Sequence, residues 1–253
     1  MNKLPQITLA FWVMKICATT LGETAGDLLS MTLNIGYALS SLLLISLFAV
    51  SLLGQLRART YQPALYWLVI LMTSTAGTTM SDFMDRTLGL GYASGATILV
   101  SLLVVVLAVW RMSEKSLSVD HITTRRGELF YWGAILVSNT LGTALGDYLA
   151  DDSGLGFAGG ALLIGGLLAV VVLAYYSTRI SRVALFWLAF VLTRPFGATL
   201  GDVLTKSADK GGLDLGTIGS SAVLMAVLVA LVGFTIWSMR QSPQVQPVEL
   251  GRE

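Results

Sequence analysis

The stretch FWVMKICATTLGETAGDLLSMTLNIG, residues 11–36, recurs three times along the chain. Its counterparts are YWLVILMTSTAGTTMSDFMDRTLGLG (66–91), YWGAILVSNTLGTALGDYLADDSGLG (131–156) and FWLAFVLTRPFGATLGDVLTKSADKGGLDLG (186–216). Each opens with an aromatic residue followed by tryptophan. Ten residues after each Trp stands a glycine: Gly22, Gly77, Gly142 and Gly197. Fourteen after stands a small residue: Gly26, Ser81, Gly146 and Gly201. Fifteen after stands an aspartate: Asp27, Asp82, Asp147 and Asp202. Four matches in register at four positions identify a chain of four tandem units. A further glycine follows the aspartate by nine residues in three units, at Gly36, Gly91 and Gly156. In the fourth it follows by fourteen, at Gly216, so five residues are inserted around 206–212.

Composition identifies the solvent. Of the 253 residues 55% are hydrophobic and only 12% charged, where a soluble domain carries about 25% charge. That excludes a soluble enzyme, a nucleic-acid binder and a disordered protein, and points to lipid. One cysteine, Cys17, excludes an internal disulfide, and one histidine, His121, excludes a multi-histidine metal site.

Each unit supplies two apolar segments of membrane length, near 6–29, 36–56, 63–84, 91–112, 128–150, 156–178, 183–204 and 216–239. The apolar runs are continuous rather than alternating, so they predict helices, not barrel strands. The expected fold is an all-α membrane protein of eight transmembrane helices. They form four parallel helical-hairpin repeats (8–57, 63–112, 128–178 and 183–240) around a pseudo-symmetry axis normal to the membrane. Residues 113–127 form a cytoplasmic linker between halves, and 241–253 a disordered polar tail. One set of loops and termini carries eleven basic residues and the other only three, Arg86, Lys206 and Lys210. This places both termini in the cytoplasm of a multi-pass protein of the inner (plasma) membrane.

The four aromatic-Trp pairs and the glycine–small–Asp clusters resemble a bacterial membrane-protein family. That family is built from four tandem copies of a repeat of unknown function, with two transmembrane segments and a hallmark tryptophan per copy. The resemblance covers about 8–240. It implies eight spans and no particular activity.

An even number of spans per unit makes the repeats parallel, which excludes inverted-repeat symmetry between consecutive units. The even helices lack charge across the membrane, so an inner ring of odd helices with even helices outside is expected. Gly22, Gly26, Gly77, Gly142, Gly146, Gly197 and Gly201 form small-x-x-x-small steps that are expected to pack the hairpins. Similar steps open the even helices, at Gly36/Ser40, Gly91/Gly95, Gly156/Gly160 and Gly216/Ser220.

Fifteen residues of helix span about 22 Å. With each Trp at the inner interface, Asp27, Asp82, Asp147 and Asp202 form one level in the outer part of the bilayer. One turn below lie Glu23, Thr78, Thr143 and Ala198, and a turn further Thr20, Thr75, Thr140 and Pro195. Lys15 and Arg194 are the bases nearest this stripe and would balance its charge. Five acids against these two bases leave −3 within the membrane, and intramembrane acids point to an ion pathway or proton relay. Carboxylates and hydroxyls suit a hard divalent cation of the Mn²⁺, Mg²⁺ or Ca²⁺ kind. Glu23 and Asp27, one turn apart, are the candidate metal ligands.

The expectation is therefore a cation transporter, with or without proton coupling, with the divalent cation as substrate and no cofactor. The partners are the lipid bilayer and a small ion or solute, with no nucleic acid. Two alternatives stand beside it. One is a proton-coupled transporter of a small organic or anionic solute, suggested by Lys15 and Arg194. The other is a non-transporting scaffold whose aspartates are structural. No catalytic motif is present, so an enzyme is not expected.

Overall fold

The computed structural model describes residues 3–119, 122, 124–208 and 211–241. His121, Lys210 and the tail 242–253, read above as disordered, lie outside the described residues. Among these residues there are eight α-helices and no strand: α1 Leu9–Asp27, α2 Tyr37–Arg57, α3 Pro63–Asp82, α4 Tyr92–Glu114, α5 Arg125–Asp147, α6 Gly156–Ser177, α7 Arg182–Thr205 and α8 Thr217–Gln241. Local chemistry sets the starts of the odd helices. Thr8, Thr124 and Ser181 cap α1, α5 and α7 through their hydroxyls, and Pro63 opens α3. Helices α2, α4, α6, α7 and α8 are long and apolar enough to cross a membrane.

The odd helices form a closed ring in the order α1, α3, α5, α7 and back to α1. The even helices pack outside it. Here the arrangement departs from the expected hairpins: α2 lies on α3, α4 on α5, α6 on α7, and α8 on α1. Each even helix covers the first helix of the following unit rather than its own partner.

The reason lies in the glycines. A Cβ at Gly77 would stand 2.9 Å from the Asn139 carbonyl carbon and the Thr140 amide of α5. Gly22 and Gly26 meet Ser74 and Thr78 of α3, Gly142 and Gly146 meet Arg194 and Ala198 of α7, and Gly197 and Gly201 meet Thr19 and Glu23 of α1. These steps therefore stitch odd helix to odd helix around the ring. Close backbone approach leaves no room for an even helix between them.

The even-helix steps divide their roles. Gly36, Gly91, Gly156 and Gly216 have φ of +81°, +73°, +66° and +73°, and a Cβ there would touch nothing. They are turn residues that need left-handed backbone. The second members, Ser40, Gly95, Gly160 and Ser220, are the ones at close contacts or buried.

At its aspartate each of the first three units passes from α-helix into a π-helical turn: Leu28–Thr32, Phe83–Thr87 and Tyr148–Asp152. The fourth, with its insertion, has none among its described residues. There α7 runs to Thr205 and Lys206 leaves in extended conformation.

The opposite end of the ring is closed by aromatic side chains. Phe11, Trp12, Phe186, Trp187, Tyr131, Trp132, Tyr66 and Trp67 touch in that cyclic order, with neighbouring centroids 5.1–6.3 Å apart. Tyr66 and Tyr131 meet hydroxyl to hydroxyl at 2.6 Å. Trp67, Trp132 and Trp187 are buried and Trp12 is partly so; each hallmark tryptophan packs against the Phe or Tyr of a neighbouring unit. Parallel repeats bring them to one level, where aromatic edges and faces complement each other.

Candidate functional site

Above this aromatic floor the ring interior is polar. The first charge is Lys15, fully buried, with its Nζ 3.5 Å from Asn139 Oδ1 and 4.1 Å from the centroid of Phe190. Asn139 in turn donates to Thr73 Oγ1 at 2.9 Å. Thr20, Thr75 and Thr140 are buried, and their hydroxyls donate to the carbonyls of Ile16, Leu71 and Leu136, four residues back on their own helices.

The next level centres on Arg194. Its Nη2 lies 3.0 Å from Glu23 Oε2 and donates to Thr78 and Thr143 Oγ1 at 2.6 Å each, and to the Ser74 carbonyl at 3.4 Å. Thr78 and Thr143 lie 3.2 and 3.3 Å from the same Glu23 oxygen. One side chain of α7 thus bonds to α1, α3 and α5 together. Gly142 makes this possible, because a Cβ there would collide with the Arg194 side chain. Both Arg194 and Glu23 are buried, with side-chain exposures of 0% and 4%.

The four aspartates form the last level, each 1–4% exposed. They are arranged as two bridged pairs. Arg86 binds Asp82 at 2.9 Å and Asp147 at 3.1 Å. Lys206 binds Asp27 at 2.8 Å and Asp202 at 3.2 Å. In each case a base from one unit spans its own aspartate and that of the next unit round the ring. The backbone ring is fourfold in order, but its charges repeat twofold.

Arg86 and Lys206 were counted above only as outer-loop charges. Their spacing could have revealed them. Asp82–Arg86 and Asp202–Lys206 are i,i+4 pairs, while units 1 and 3 carry Met31 and Asp151 at that position. Including both changes the sum for the ring interior. Five acids (Glu23, Asp27, Asp82, Asp147, Asp202) now face four bases (Lys15, Arg86, Arg194, Lys206), leaving −1 rather than −3.

The expected ligand pair is also revised. Glu23 and Asp27 turn to different bases, Arg194 and Lys206, which separates two like charges one turn apart. The carboxylates that converge are Glu23, Asp147 and Asp202, each offering an oxygen within 4.8 Å of the others. Asp202 Oδ2 has no hydrogen-bond partner among the described residues. Three carboxylates from three helices, with Thr78 and Thr143 hydroxyls beside them, form a hard-oxygen donor set.

Two aromatic residues distinguish the two bridging bases. The Arg86 guanidinium lies over Tyr92, 5.6 Å from its centroid, and Tyr37 is a further neighbour. Units 3 and 4 carry Phe157 and Thr217 where these tyrosines stand.

No curated protein and no solved structure matches this chain. Four tandem matches to the Repeat of Unknown Function (DUF347) cover residues 10–61, 65–116, 130–181 and 185–241, the last being the longest and containing the insertion. With these matches spanning most of its length, the chain belongs to the family built from the Repeat of Unknown Function (DUF347).

Proposed function

We propose that this chain is an integral membrane transporter of a hard divalent cation, of the Mn²⁺, Mg²⁺ or Ca²⁺ kind. The ion would cross at the carboxylate level, and protons could take its place there. The observation that carries this reading is the convergence of Glu23, Asp147 and Asp202 on one point inside a helical ring. Each carboxylate already has a base beside it, but Asp202 Oδ2 is buried without a partner among the described residues, and oxygens from three helices suit a hard multivalent cation.

All eight helices are read as spans. Helices α1, α3 and α5 are more polar than the other five, but their polar faces turn into the ring and the even helices cover them. The bias of basic residues supports cytoplasmic termini in the bacterial inner membrane. The ring's aromatic end would then face inward and its aspartate end outward, an arrangement closed toward the cytoplasm.

The test is Mn²⁺ uptake into proteoliposomes. The wild-type protein should exceed empty vesicles, and E23Q, D147N and D202N should each abolish the excess. Uptake equal to that of empty vesicles for Mn²⁺, Mg²⁺ and Ca²⁺ alike would refute the reading.

A second reading rests on the bases. Lys15 has no acid within ion-pair distance among the described residues, and Nε and Nη1 of Arg194 have no partner there. These groups would suit a small anionic solute. Counterflow of such a solute without metal dependence would favour that alternative.

A further inference from the structure

The two bases that close the aspartate level are not equivalent. Arg86 sits within the π-helical turn Phe83–Thr87, its guanidinium forks between Asp82 and Asp147, and Tyr92 covers it. Planarity and several fixed donors make such an arginine a rigid clamp. Lys206 also bridges two aspartates, but through a single ammonium, which contacts carboxylate oxygens of Asp27 and Asp202. It stands just past the end of α7, in extended backbone, at the start of the five-residue insertion that the other units lack. Its backbone is held by the Asp202 carbonyl and the Asp214 amide.

Space to move is also present. A cleft of about 410 Å³, lined by Thr32, Thr205, Gly216 and Thr217 with apolar neighbours, opens next to the residue before Lys206. An ammonium withdrawn into that cleft would meet hydroxyls and water.

We infer that Lys206 is a tethered stand-in for the transported cation. Its ammonium occupies Asp27 and Asp202, and the incoming divalent ion takes its place. This rests on the transporter reading above and adds the residue that sets access to the site. The link is Asp202. Its Oδ1 holds Lys206, while its Oδ2 is buried without a partner and Asp202 belongs to the converging carboxylates. An ion drawing Asp202 toward Glu23 and Asp147 both weakens the lysine's hold and repels its charge. The Lys206 side chain swings out while its backbone stays bonded to Asp202 and Asp214, and Asp27 is freed to face the ion. Arg86 stays in place and keeps the other half of the ring closed.

The experiment reads Lys206 directly. The purified full-length protein in detergent is acylated with a sulfonated N-hydroxysuccinimide ester, and modification is quantified at Lys206 by peptide mass spectrometry. Labelling should rise several-fold when Mn²⁺ is added to the wild-type protein. In D27N it should be high without Mn²⁺. K206Q should lower the Mn²⁺ concentration for half-maximal uptake into vesicles, and K206R should raise it. Lys206 labelling unchanged by Mn²⁺, in a protein that nonetheless transports Mn²⁺, overturns this inference and leaves the transporter reading standing. Absence of both the labelling change and the uptake overturns both. Should K206Q fail to fold, K206R and the labelling of the wild-type protein still decide the matter.

Discussion

Removing either partner of the Glu23–Arg194 pair should be more damaging than removing both. The two side chains are fully enclosed by the ring, so solvent screens neither. Breaking a buried pair on one side costs about 3–5 kcal/mol, because a charge is left without compensation. In R194M, Glu23 keeps the hydroxyls of Thr78 and Thr143, at 3.2 and 3.3 Å, which places this variant near the lower end. In E23Q the guanidinium keeps those two hydroxyls and the Ser74 carbonyl but loses its counter-charge. The two losses together would sum to about 6–10 kcal/mol if they were independent. In E23Q/R194M both charges of the pair are gone, and neither is left without its counter-charge. A glutamine among two threonine hydroxyls can satisfy its own hydrogen bonds, so the double variant should lose about 1–3 kcal/mol. The assay is reversible unfolding in mixed micelles of increasing SDS fraction, followed by tryptophan fluorescence. Three of the reporting indoles, Trp67, Trp132 and Trp187, are buried at the closed end of the ring. Additivity of the two single losses within about 0.5 kcal/mol would refute the reasoning. It would mean that Arg194 and Glu23 do not share the buried site described.

Three further outcomes test the architecture. G77A should lose about 1–3 kcal/mol, because its Cβ meets the α5 backbone, which cannot yield as a side chain can; G133A, with open space around its Cβ, should be near neutral in the same unfolding assay. Y66F should lose about 1–3 kcal/mol by leaving the buried Tyr131 hydroxyl without its partner, and Y66F/Y131F should recover part of that loss. R86K should lower stability and raise acylation at the new lysine, since one ammonium cannot fork across Asp82 and Asp147 as the guanidinium does; equal stability of R86K and the wild-type protein would remove the distinction between the two bridging bases.

Why some of this was readable in the sequence and some was not follows from how the repeat works. Residues that do the same job in all four units are visible by repetition alone. The aspartates, the glycine ten residues after each Trp and the turn glycine are of this kind, and they specify the parallel ring and its odd-inside order. What repetition conceals is which neighbour a repeated residue touches. Gly22 looks equally suited to meet α2 or α3, and only the closed ring decides for Ser74 of α3. The same ambiguity hid the partner of each tryptophan, which is the Phe or Tyr of a neighbouring unit.

The site depends on residues that break the repeat. Arg194 appears in one unit at the position held by Thr19, Ser74 and Asn139 in the others, and it fills the ring centre because only one guanidinium fits there. Arg86 and Lys206 occur in alternate units, so a search for fourfold regularity discards them as loop charges. Yet alternation is what the electrostatics require. Four bridging bases would leave every aspartate doubly neutralised and no oxygen free to turn inward. Two bases can each serve a pair, and the inward oxygens of Asp147 and Asp202 then remain to meet Glu23, the one acid with no counterpart in the other units. A fourfold scaffold thus carries twofold bridging charge and a single glutamate. That asymmetry brings the oxygens of Glu23, Asp147 and Asp202 together between α1, α5 and α7.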